Sequence, residues 1–188
     1  MEQIMNGLNI IMNIERLLNN PIYNEQWRQV NGYANYYVSN CGRVKNIKTE
    51  KILTSHISTT GYICIDLYKN NKRTKYKMHR LVSDTFLANL NHFKCVDHID
   101  GNRTNNLVTN LRWCTHSQNQ GNRMKQSNLS SIFKGVYFHK QNMNWIAEIT
   151  IKGKKIHLGC YKTQIEAGKA YNKKAIELFG EFAKLNII

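Results

Sequence analysis

Apolar and polar positions change rhythm several times along the 188 residues, and those changes divide the chain. Before about Gln26, Ile4, Met5, Leu8, Met12 and Leu17 recur at near-helical spacing, which predicts a short amphipathic arm that packs and carries no chemistry. Short strands follow from Trp27 to about Lys77. Tyr36-Tyr37-Val38-Ser39-Asn40 meets a Cys41-Gly42 turn and continues as Arg43-Val44. Gly61 to Tyr68 alternates like a half-buried strand, and Asn70-Asn71 turns it toward Lys72-Arg73-Thr74-Lys75. A helix is predicted from about His79 to Leu87, with Leu81, Val82, Thr85 and Phe86 on one face. Val96 to Gln120 is loop-rich, and Asn122 to Ser131 reads as an extended basic linker.

From Ser131 the pattern predicts three strands and a helix. Phe133 to Phe138 and Trp145 to Ile151 are the first two strands, and Lys152-Gly153-Lys154-Lys155 turns the second into Ile156-His157-Leu158-Gly159. Thr163 with Glu166 three residues on forms a capping box. Behind it, Ala167, Ala170, Tyr171, Ala175 and Leu178 make the apolar stripe of a helix ending at Gly180.

Charge changes the picture more than size does. Lysine and arginine number 27 against 12 aspartates and glutamates, a formal charge of +15. That predicts a polyanionic partner, because each cation placed near a phosphate releases counterions. Hydrophobic residues at 41% argue against wholesale disorder. A mean hydropathy of -0.53 and the lack of a long apolar run exclude a membrane span. Glu2 stands where a basic signal region belongs, and Asn6, Asn9 and Asn13 interrupt the apolar residues, so no secretory signal is expected. The five cysteines never form a CxxC pair. Neither a disulfide framework nor a structural zinc site is expected, and a reducing intracellular compartment fits.

Candidate chemistry lies in Val96-Asp97-His98-Ile99-Asp100-Gly101-Asn102, followed by Asn110-Leu111-Arg112-Trp113 and Thr115-His116-Ser117-Gln118-Asn119. Cutting a phosphodiester needs a deprotonated water, neutralised phosphate charge and a stabilised leaving oxygen. Asp97 and the side-chain carbonyl of Asn119 are oxygen donors of the kind Mg²⁺ or Mn²⁺ prefers. His98 can accept a proton near neutrality. Neighbours in a flat strand point to opposite faces, so Asp97 and His98 need a bend or strand end to share a site. Thr115 suits the cap of a short helix carrying Asn119. Asp100 reads as a turn residue, His79 as either packed or phosphate-contacting, and His92 and His116 as surface histidines.

Asp97-His98, Asn110 and Asn119 resemble the signature of HNH endonucleases in the ββα-metal fold, and the run from His79-Arg80 through Asn119 resembles the homing-endonuclease group. The resemblance implies that Asp97 and Asn119 hold the metal and that His98 is the general base. It also implies that Asn110 fixes the loop and orients His98, and that the products carry 5′-phosphate and 3′-hydroxyl ends. Trp27 to about Asn46 resembles the small NUMOD4-like β module that precedes such domains, where Arg43, Lys45 and Lys48 suit phosphate contacts, as His79 and Arg80 do beyond it. Lys134-Gly135-Val136, Trp145 to Ile149, His157-Leu158-Gly159 and Glu166 to Tyr171 resemble an AP2 DNA-binding domain. Its sheet enters the major groove, which implies DNA contacts from Lys134, Tyr137, His139, Thr150, Lys155 and His157. Glu148 and Trp145 read as structural.

The expected fold class is α+β: a helical arm at 1–25, a β module at 26–77, a nuclease core at 78–121, a linker at 122–131 and a three-stranded antiparallel sheet plus helix at 132–188. Expected partners are double-stranded DNA and one Mg²⁺ or Mn²⁺, with no membrane and no small-molecule cofactor. A single site per chain favours a nick from a monomer or weak dimer. The abundance of Asn, Lys and Ile fits a phage or large-virus genome. The rival expectation is a non-catalytic DNA-binding protein built on the AP2-like segment.

Overall fold

The structure, a computed structural model, describes residues 24–124 and 130–188. The expected helical arm lies outside the described residues, as does the middle of the expected linker. Two compact units divide the chain between Trp113 and Cys114.

The first unit opens with an antiparallel sheet of β1 (Trp27–Val30), β2 (Tyr33–Ser39) and β3 (Val44–Asn46), in the order β1-β2-β3. A second sheet pairs β4 (His56–Ile57) with β5 (Ile63–Lys69), and β5 with β6 (Lys72–Lys77). Lys69 faces Lys72 across a two-residue loop, in which Asn70 (φ 49°) and Asn71 (φ 60°) both take the left-handed conformation. Asparagine tolerates that conformation better than most side chains, so the expected turn has its physical reason. Helix α1 (Met78–Phe86) leaves β6 directly, one residue ahead of the expected start. β7 (Cys95–His98) and β8 (Leu111–Cys114) then form a two-stranded sheet.

One apolar cluster holds these pieces together. Val38, Val44, Leu67 and Val82 are fully buried, and Val96 and Leu111 join the same cluster. Burying each such side chain contributes about 1.5–3 kcal/mol. Residues from both sides of the expected boundary between 77 and 78 share this cluster.

In the second unit, α2 (His116–Gly121) begins at Thr115, whose hydroxyl accepts from the Gln118 N–H at 3.2 Å while Gln118 Oε1 accepts from the Thr115 N–H at 2.8 Å. β9 (Val136–His139), β10 (Asn144–Ile151) and β11 (Lys154–Tyr161) make an antiparallel sheet in the order β11-β10-β9. Lys152 (φ 49°) and Gly153 (φ 78°) form the two-residue turn between the last two. Helix α3 (Gln164–Phe179) starts with the expected capping box, Thr163 Oγ1 accepting from Glu166 N–H at 3.2 Å and Glu166 Oε2 from Thr163 N–H at 3.0 Å. Ala167, Tyr171 and Ala175 form its buried stripe, completed by Phe179 rather than by the half-buried Leu178.

Helix α2, which ends the expected nuclease core, falls in the second unit. The Gly121 carbonyl accepts from Lys134 Nζ at 2.6 Å and from the Lys184 N–H at 3.1 Å, and a side chain at Gly121 would meet the Phe179 ring. The ends of the expected linker are also packed. Asn122 and Ser131 are both buried, and Ser131 Oγ accepts from the Phe133 N–H at 2.9 Å. No helix among the described residues is long and apolar enough to cross a membrane.

Candidate active site

Strand β7 ends at His98. The loop beyond is built from short polar side chains that bond to nearby backbone, as such residues do in turns. The Gly101 N–H donates to the His98 carbonyl at 2.8 Å. Asn110 holds the loop from its far end: its Oδ1 accepts from the Asp100 N–H at 3.1 Å, and its Nδ2 donates to Asp100 Oδ1 and to the Asn105 carbonyl, each at 2.9 Å. Asp100 is a turn residue, its oxygens also accepting from the Asn102 N–H and Asn105 Nδ2 at 2.7 Å. Burial works to raise the Asp100 carboxyl, but the hydrogen bonds from Asn105, Asn102 and Asn110 outweigh it and hold it below its usual range. Asn110 thus bonds to three points of the loop. The backbone bond it receives comes from Ile99, at 2.9 Å, so it positions His98 through the neighbouring residue.

His98 is 5% exposed. Its Nε2 lies 3.3 Å from Asn106 Oδ1, while Asn106 Nδ2 donates to the Thr104 carbonyl at 3.1 Å. With the amide nitrogen so committed, Asn106 presents an acceptor to the ring, which favours the proton on Nε2 and the lone pair on Nδ1. Burial pushes the imidazole below its usual value, against an upward pull from Asn106, Asp100 and Asp97. His98 is therefore neutral at pH 7, the form a general base needs. Around it stand the rings of His79, 5.0 Å between centroids, and Tyr62, at 6.0 Å. His79 is also buried, its Nδ1 without a hydrogen-bond partner. Burial first, then the electrostatic influence of His98, Arg80 and Lys77, pushes His79 down to about 3. Of the two expectations for His79, this geometry supports the packed one.

Asp97, 4% exposed, faces β8. Arg112 brings Nη2 to 2.9 Å and Nε to 3.0 Å of the same oxygen, Oδ2. Among the described residues no group of three or more His, Cys, Asp or Glu side chains could hold a metal ion. The donors expected here suit a hard cation that binds through one or two carboxylates and completes its shell with water and substrate phosphate. Asp97, His98 and Asn110 fall in the first unit; Asn119, half-buried on α2, falls in the second.

The remaining expected contacts sort by what they touch. Arg43 is ion-paired with Glu25 and stands 5.7 Å from the Trp27 ring, while Lys45 Nζ is 4.5 Å from that ring. Arg80 donates to the Lys94 carbonyl and lies 5.6 Å from the Trp113 ring. In the C-terminal sheet, Val136 and Ala147 pack toward α3. Alternation therefore sends Tyr137, Glu148 and Thr150 to the other face, with Lys155 and His157 as their register partners on β11. His139 lies on the same face as Tyr137, its Nδ1 accepting from the Asn142 N–H at 3.3 Å. Lys134 is the correction in this group: its ammonium turns inward to Gly121, and burial pulls it down to about 8.

Sequence reasoning missed Asn106, Arg112 and Tyr62. Asn106 is one of four asparagines in nine residues, and no local signal separates it from Asn102 or Asn105. Arg112 lies 15 residues from Asp97 and is found only by pairing β7 with β8.

Residues 25–68 match the family model described as the NUMOD4 motif, and residues 76–120 match that described as HNH endonuclease. DNA endonuclease I-HmuI of Bacillus phage SP01 is 42% identical over 106 residues, which cover 56% of this chain and 61% of that protein. An uncharacterised HNH endonuclease of Acanthamoeba polyphaga mimivirus is 35% identical over 122 residues, covering 64% of this chain and 36% of that one. A solved structure of DNA binding and cleavage by I-HmuI aligns at a TM-score of 0.48 and 42% identity, over 50% of this chain and 55% of that chain. This chain thus spans about three fifths of one of these two relatives and about a third of the other.

Proposed function

We propose, from an HNH endonuclease segment at residues 76–120 behind a NUMOD4 motif at residues 25–68, that this chain is a metal-dependent DNA endonuclease. The observation that carries the reading is His98, buried at the end of a strand with Nε2 against Asn106 Oδ1, next to a carboxylate held by arginine. His98 Nδ1 takes the proton of a water that attacks phosphorus, and Asn106 keeps Nε2 protonated so that the imidazolium has a settled partner. The 3′-oxygen leaves, giving 5′-phosphate and 3′-hydroxyl ends. Arg112 holds Asp97 in place, and Asp97 would be the carboxylate that binds Mg²⁺ or Mn²⁺. That ion would supply positive charge to the phosphate and the leaving oxygen.

The C-terminal sheet serves as an AP2-like reader in this proposal. Tyr137, His139, Thr150, Lys155 and His157 supply its DNA face, and Arg43, Lys45 and Arg80 supply phosphate contacts elsewhere. One site per chain makes the product a nick. The test is conversion of supercoiled plasmid carrying the gene's own flanking sequence, with Mg²⁺ or with EDTA, by wild type and His98→Ala. Metal-dependent nicking that disappears in the variant supports the proposal. A wild type that binds this DNA and leaves it intact favours the non-catalytic DNA-binding protein.

A further inference from the structure

Tyr62 stands beside both buried histidines, 4.9 Å from His79 and 6.0 Å from His98 between ring centroids. Two cations lean on that same ring. Lys77 Nζ, from the last residue of β6, is 4.7 Å from its centroid; Arg103 Cζ, from the loop after His98, is 5.0 Å away. Arg103 is held there by a 2.7 Å bond from Nη1 to the Thr60 carbonyl, which ties its loop to the one before β5. Among the described residues neither cation pairs with a carboxylate. The nearest acid in the loop, Asp100, is occupied by three asparagines.

The same motif occurs with a different ending at Trp27, where Arg43 and Lys45 share a ring but Glu25 answers the charge. A cation on an exposed aromatic face gains about 0.5–1 kcal/mol, too little to explain gathering two like charges on one ring for stability alone. An anion between them would remove the repulsion. The anion that belongs beside a general base for phosphodiester cutting is the phosphate being cut, whose charge grows toward the transition state.

Resting on the nuclease reading above, we infer that Lys77 and Arg103, steered by the Tyr62 ring, clamp the scissile phosphate beside His98. Tyr62 acts as the positioning residue, and the two cations touch the reacting group. Neither cation stands out in the sequence, where they are two among 27.

The test begins by mapping the nick made by wild type and building a duplex with one neutral methylphosphonate at that phosphate. A second duplex carries the same group one helical turn away. For wild type, neutralising the cut phosphate weakens binding several-fold more than neutralising the distant one. For Lys77→Met and Arg103→Gln that extra loss vanishes, because the contact is already gone. Single-turnover cutting of the unmodified duplex at saturation falls about 10²-fold in each, the size seen when one charge-stabilising group is removed, and Lys77→Arg recovers most of it. Arg103→Lys, which keeps a donor for Thr60, controls for loss of the loop tie, and thermal melting confirms that each variant is folded. Folded variants that cut at the wild-type rate, or that keep the full methylphosphonate penalty, overturn the clamp and leave the nuclease reading standing. A wild type that binds and never nicks overturns both.

Discussion

The loop after β7 and the outward face of the C-terminal sheet use similar side chains in opposite ways. Around His98 the polar groups are bonded to one another, and all but Asp100 and Arg112 are buried: Asn106 to the ring, Asn110 to Asp100, Arg112 to Asp97. On the sheet they are exposed or half-exposed and loosely paired. Tyr137 donates to Glu148 Oε1 at 2.9 Å, Lys155 stands 3.8 Å from Glu148 Oε2, and His157 Nε2 is 3.8 Å from Cys160 Sγ. Proton transfer needs a base fixed within hydrogen-bond reach, so that network must be complete. A face that meets DNA needs side chains that can exchange protein partners for phosphates and bases. Buried polar groups without partners cost far more than exposed ones, so substitutions should cost more in the first region than in the second.

The sharpest break comes at the base. His98→Ala should lower the nicking rate about 10³-fold while DNA affinity, read by gel shift, changes by less than a few-fold. Parallel loss of binding would instead make His98 a structural residue. Asn110→Ala should cost about 1–3 kcal/mol in urea unfolding, since it strands the Asp100 N–H and the Asn105 carbonyl, and it should take activity down with it. Gly42→Ala tests how far the β module supports the site. Gly42 has φ +76°, and a Cβ there would lie 2.8 Å from Asn106 Cβ. Strain of about 1–3 kcal/mol is expected, with a loss of nicking larger than stability alone explains, because Asn106 holds His98.

Acid sharpens the same contrast. His79 has a folded value of about 3, below its ordinary 6.5, so between those values the unfolded chain binds more protons. The stability from keeping it neutral is complete above about pH 6.5 and is lost as pH falls toward 3. The titratable and charged groups that face it are Tyr62, His98, Arg80 and Lys77. Urea unfolding at pH 5 and pH 7 should show a smaller acid loss in His79→Phe than in wild type; equal losses would assign the sensitivity to another group. The smallest effect belongs to the sheet. Glu148→Gln should change stability by less than about 1 kcal/mol and tighten DNA binding a few-fold at low salt, by freeing Lys155 and removing a like charge from phosphate. Weaker binding would mean that Glu148 orders the face.

Sequence by itself determined the local structure. Asn70-Asn71 and Lys152-Gly153 turn their hairpins, Thr115 and Thr163 start their helices, and Asp100 serves a turn, because each depends on backbone and side chains within about four residues. Asp97, His98 and Asn110 were legible for the same reason: their types and spacing stand in one continuous stretch. Tertiary structure decided which distant partners those residues meet. It paired Arg112 with Asp97, chose Asn106 from a run of asparagines, seated Gly42 against it, gathered Lys77 and Arg103 on Tyr62, and turned Lys134 inward. It also gave α2 to the C-terminal packing. Such contacts depend on how strands pair and sheets pack across tens of residues, and hydrophobic periodicity records which face is buried but not what lies against it.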